Sequence, residues 1–107
     1  MIEIENRGDS ALILRPIGDL DIASSFHYRH VVDDLLRPSL DVTIDLGEVG
    51  SVDSFGLSAL VGTIRRVASV GGRASIRNAP PGIDFFLHPF DVNRLKRSEE
   101  ADPKPAA

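Results

Sequence analysis

Apolar and charged residues alternate at Ile2-Glu3-Ile4-Glu5, which predicts a short, half-exposed strand. Asn6-Arg7-Gly8-Asp9-Ser10 is rich in turn formers and should reverse the chain. The mostly apolar run Ala11 to Ile17 suits a second strand. Pro16 cannot donate to a ladder, so this strand should be irregular or unpaired on one side near its end. From Ala23 to Leu36 the period changes. Tyr28, Val31, Val32, Leu35 and Leu36 fall at helical spacing, with Arg29, Asp33 and Asp34 between them. Asp21 or Ser24 can cap this helix, and Pro38 lies just past its end. Val42-Thr43-Ile44-Asp45-Leu46 reads as a β-branched strand, and Gly47-Glu48-Val49-Gly50 as a loop by composition.

Asp53-Ser54 opens a second helix with an apolar stripe of Leu57, Leu60, Val61, Ile64, Val67 and Ala68. Gly71-Gly72 should end it as a left-handed C-terminal cap. Arg73 to Arg77 is a short further strand. Ala79-Pro80-Pro81-Gly82 breaks the chain, and Gly82 to His88 forms a short third helix carrying Ile83, Phe86 and Leu87. Phe90, Val92 and Leu95 can add a final apolar strip. The order is two strands, helix, strand, helix, strand, short helix. That alternation implies an α/β fold, a mixed sheet of four or five strands flanked by helices, with parallel neighbours and one antiparallel hairpin. Residues 1–96 should form one domain, and residues 97–107, charged and then rich in Pro and Ala, a disordered tail.

Composition narrows the function. A chain of 107 residues, 42% hydrophobic, fits one domain with one modest core. It has no cysteine, so a disulfide framework and a thiolate metal site are both excluded. The start lacks the pattern of a signal peptide, and no apolar run approaches a membrane span, which together point to the cytoplasm without membrane insertion. A net charge of −4 with scattered basic residues argues against direct nucleic-acid binding. The densest basic spots, Arg65-Arg66 and Arg94-Leu95-Lys96-Arg97, read as solvated surface.

Candidate chemistry centres on Ser51-Val52-Asp53-Ser54-Phe55-Gly56-Leu57. The segment should join a buried strand to a helix. The first N–H groups of a helix lack internal partners and carry the positive end of its dipole. A phosphate on Ser54 would add roughly −1.5 to −2 charge there without disturbing the fold. Beside Asp53 it would change the local surface sharply and repel a partner docked on it. Asp and Ser also simply start helices, and spacing alone leaves that alternative open.

Four segments in order carry a resemblance. Gly18-Asp19-Leu20-Asp21 resembles the Gly-Glu-Leu-Asp motif at the start of STAS domains, and Thr43 to Val49 the strand and loop before the family's switch motif. Asp53-Ser54-Phe55-Gly56-Leu57 resembles that motif itself, and Val70-Gly71-Gly72-Arg73-Ala74 the turn after the second helix. The likeness is to anti-sigma-factor antagonists. It implies that Ser54 accepts phosphate from an anti-sigma factor serine kinase, a histidine-kinase-like ATPase, and that phosphorylation releases that partner. It also implies that Asp21, Ser24, Asp53, Phe55, Gly56 and Ser58 lie on or beside the docking face. Phe55 stands where simple antagonists often have Ser or Thr and scaffold-type members have Phe. It can be an apolar anchor or a staple against the first turn. The alternatives that the resemblance admits are a stressosome scaffold or the accessory subunit of an ABC-type lipid transport complex. A homodimer is also admitted.

Other constellations weigh less. His27, His30 and Asp33 share a helical face but lack a metal motif and read as solvated, so no metal is expected. There is no Gly-x-Ser-x-Gly elbow and no glycine-rich phosphate loop, so neither an enzyme nor a cofactor is expected. The cluster Asp84-Phe85-Phe86-Leu87-His88-Pro89-Phe90 is either core or a contact surface.

Overall fold

A computed structural model describes residues 1–87, the side chains of 84–86 excepted. The aromatic cluster beyond Leu87, the strip Phe90 to Leu95, the basic run at 94–97 and the tail 97–107 lie outside the described residues. Strands β1 (Ile2–Asn6) and β2 (Ala11–Pro16) form an antiparallel hairpin in which Ile2 opposes Pro16. β2 pairs in parallel with β4 (Asp41–Asp45), and β4 with β6 (Ala74–Arg77), giving the order β1-β2-β4-β6. Pairing of β2 to β4 stops at Leu14, so Pro16 is unpaired on that side, as its missing N–H requires.

Alternate residues of the sheet face one core. Leu12, Leu14, Val42, Ile44, Ala74 and Ile76 are buried together with Tyr28 and Val32 of α1 (Ile22–Leu35) and Leu60, Ile64 and Val67 of α2 (Ser54–Ser69). The opposite face of the sheet carries the buried Ile13 and a network of polar side chains. Asp45 accepts from Arg15 Nε at 3.3 Å, Arg77 at 3.1 Å, Asn78 Nδ2 at 3.0 Å and Gly47 N–H at 3.0 Å, so one carboxylate links β2, β4 and the end of β6. Burial opposes its ionisation, but these hydrogen bonds outweigh that and hold its carboxyl well below the usual carboxylate range.

α2 ends as its glycines predict. Gly71 has φ +85°, Gly71 N–H donates to Ala68 O at 3.0 Å and Gly72 N–H to Val67 O at 3.0 Å, the paired bonds of a Schellman turn. The third helix, α3 (Pro81–Leu87), brings Leu87 into the core.

Two elements depart from the sequence reading. Gly18–Leu20 is a strand, β3, and Val49–Val52 is another, β5, where a loop is expected from Gly47 to Gly50. They pair in parallel with each other as a second sheet, Gly18 opposite Val49 and Leu20 opposite Val52. The strand leading into α2 is therefore partly exposed and outside the main sheet, rather than the buried strand expected.

Candidate functional site

Because β3 and β5 run side by side in parallel, the helices that follow them also start side by side. Leu20 is followed by Asp21, the N-cap of α1, and Val52 by Asp53, the N-cap of α2. The two starts are tied directly: Asp53 N–H donates to Leu20 O at 3.1 Å. Gly56 packs onto the same carbonyl so closely that a Cβ there would lie 2.3 Å from the oxygen. Gly56 is buried, so it sits beneath the expected docking face and its work is to let α2 approach β3.

Both caps are satisfied within the chain. Ser24 N–H donates to Asp21 Oδ1 at 3.1 Å and Asp21 N–H to Ser24 Oγ at 2.9 Å, a reciprocal capping box. Asp21 is thus the cap and Ser24 its third-residue partner, which resolves the choice that the sequence leaves open. Hydrogen bonds from the Ser24 N–H and hydroxyl lower the Asp21 pKa. On α2, Asp53 Oδ1 accepts from Gly56 N–H at 2.9 Å. Ser54 then occupies the first helical position, exposed, and its hydroxyl takes part in no hydrogen bond among the described residues.

The structure brings the expected site residues Asp21, Ser24, Asp53, Ser54, Phe55 and Ser58 to the neighbouring starts of two helices. It also adds residues that the sequence reading missed. Phe55 is 53% exposed and lines an open groove of about 320 Å³ with Ile22, Ser25, Phe26 and Arg29 of α1. Arg29 Nη2 donates to Ser58 Oγ at 3.3 Å across the two helices. Ile22, Phe26 and Arg29 recur at four- and three-residue spacing, which is itself a legible helical face. The buried stripe through Tyr28 and Val32 lies on another side of the same helix.

Below the groove the helices are braced. Tyr28 is fully buried, and burial pushes its phenol up to about 12, opposed by the nearby Thr63 hydroxyl and Arg66 charge. Thr63 gives its own proton to Ala59 O at 2.9 Å, and Tyr28 Oη finds no hydrogen-bond partner among the described residues. Arg66 pairs with Asp33 at 3.1 Å, so this partly exposed arginine bridges α2 to α1. His27 and His30 are exposed on α1. Among the described residues no group of three His, Asp or Glu side chains could hold a metal, and no helix is long and apolar enough to cross a membrane. The arrangement presents a free hydroxyl at a positive helix end, flanked by carboxylates on one side and an apolar groove on the other.

Comparison with known proteins bears on what such a surface does. Residues 1–96 match the family model of the STAS domain. The chain is 30% identical over 79 residues to the anti-sigma-B factor antagonist of Bacillus subtilis (strain 168), covering 74% of this chain and 70% of that one. Its fold superposes on the anti-sigma factor antagonist SpoIIAA in its unphosphorylated form with a TM-score of 0.67, at 17% identity and 82% coverage of each chain. It also superposes on an anti-sigma factor antagonist STAS domain from Rhodobacter sphaeroides with a TM-score of 0.61, at 21% identity, covering 73% of this chain and 85% of that one.

Proposed function

This chain belongs to the STAS domain family, and from that premise we propose that it is an anti-sigma factor antagonist of the cytoplasm whose docking to an anti-sigma factor serine kinase is switched at Ser54. One observation carries the reading: Ser54 is the exposed first residue of α2, with its hydroxyl unengaged among the described residues and its N-cap already supplied by Asp53. A phosphate there meets the unpaired N–H groups and positive dipole end of the first turn, so the helix tolerates it. It also stands beside the carboxylates of Asp53 and Asp21, and roughly two further negative charges turn an approachable surface into one that repels a docked partner. The chain is a kinase substrate on this reading and needs no catalytic group or cofactor of its own. Its B. subtilis relative is named as an anti-sigma-B factor antagonist, which supports the antagonist part of the reading.

The test is phosphoryl transfer from ATP by each purified anti-sigma serine kinase of the same genome. Wild type should be labelled on a single serine and lose its affinity for the kinase once labelled. Ser54→Ala should bind and remain unlabelled. Equal labelling of Ser54→Ala would remove the assignment.

A further inference from the structure

Three large apolar side chains converge on one concavity that the fold does not need. Ile22 and Phe26 stand one turn apart on α1, 49% and 63% exposed, and Phe55 faces them from the first turn of α2. None of the three belongs to the buried core cluster. Single exposed apolar residues are ordinary, but a shared groove of them marks a contact site. At about 320 Å³ the groove is at the small end of ligand pockets, and its apolar walls are half exposed. A small molecule bound there would stay wet, whereas true ligand pockets bury most of their ligand. The space suits one side chain arriving on a larger surface.

Charge says what accompanies that side chain. Arg29 lines the groove and is exposed; among the described residues its guanidinium is engaged by an exposed 3.3 Å bond to Ser58 Oγ, which leaves donors for a carboxylate. Ser54 is not among the lining residues, but it directly precedes Phe55 at the same helix start, so a partner seated on the groove is also brought to the serine. A second copy of this chain seated there would cover Ser54 instead of leaving it open to a kinase.

We propose that this groove is the specificity anchor for the kinase: one apolar kinase side chain inserts between Phe26 and Phe55, and a neighbouring kinase carboxylate pairs with Arg29. The proposal rests on the function proposed above and deepens it. It makes Ile22, Phe26 and Arg29 determinants of which kinase is recognised, separately from the serine that is modified.

Phe26→Ser and Arg29→Glu test it, compared with wild type for affinity to the purified kinase by titration calorimetry and for phosphoryl transfer to Ser54. Both side chains are exposed, so thermal melts should match wild type. Each variant should bind tenfold or more weakly, as buried interface anchors do, with Ser54 still labelled at high kinase concentration. If both variants bind like wild type while wild type is labelled, the groove proposal falls and the switch stands. If wild type is neither bound nor labelled by any such kinase, the switch itself is lost and the groove proposal with it. If sedimentation shows that Phe26→Ser only breaks a homodimer, the occupant is a second copy and the proposal is overturned.

Discussion

At the scale of single residues, the motif Asp53-Ser54-Phe55-Gly56 divides its labour. Asp53 caps, Ser54 is exposed, Phe55 lines a groove, and Gly56 lets two backbones meet. These roles predict opposite outcomes for neighbouring substitutions. Gly56→Ala puts a methyl 2.3 Å from Leu20 O and should cost about 1–3 kcal/mol in urea unfolding, because the opposing atom is backbone and cannot swing away. Ser54→Ala, two positions earlier, should leave the unfolding midpoint unchanged, since the hydroxyl takes part in no hydrogen bond among the described residues. Equal midpoints for Gly56→Ala and wild type would show that the close approach is not what the glycine is for.

Among elements, the pairing of β3 with β5 determines where the site lies. Leu20 is buried beneath both helix starts, and its carbonyl receives Asp53 N–H. Leu20→Ala should cost about 3 kcal/mol as a cavity and speed amide hydrogen exchange in the first turns of α1 and α2 together. Exchange quickened at α1 alone would break the link between the two starts. This pair of strands was the part of the fold least legible in the sequence. β3 has three residues and β5 four, and Gly18 and Gly50 erase the alternation that marks a strand. The main strands and both long helices were legible because each buries one periodic face, as in Val42-Thr43-Ile44 and Leu60, Ile64 and Val67. The serine and its caps were legible from motif order. The groove was not, because Phe26 and Phe55 meet only once the two helices lie side by side, a contact no local pattern encodes.

Over the whole molecule, the two faces of the sheet have separate duties: one packs on α1 and α2, and the other carries the Asp45 network. A native carboxylate held below its unfolded value of about 3.8 stabilises the fold above that pH, and the stabilisation drains as pH falls through the native value. Asp45→Asn should therefore lose about 2 kcal/mol near neutral pH, where charged hydrogen bonds are lost, and show a flatter decline in melting temperature on acidification than wild type. Parallel declines would place the acid sensitivity elsewhere. The twin helix starts, tied through Leu20 and capped from within, have a consequence for association. Phe55, Ser54 and the acidic caps already stand in place before any partner arrives, so little conformational entropy remains to be lost on this side of the encounter. On the proposed reading, phosphate then needs no rearrangement to act. It rewrites the charge of a fixed surface, and both states of the protein should have superimposable backbones.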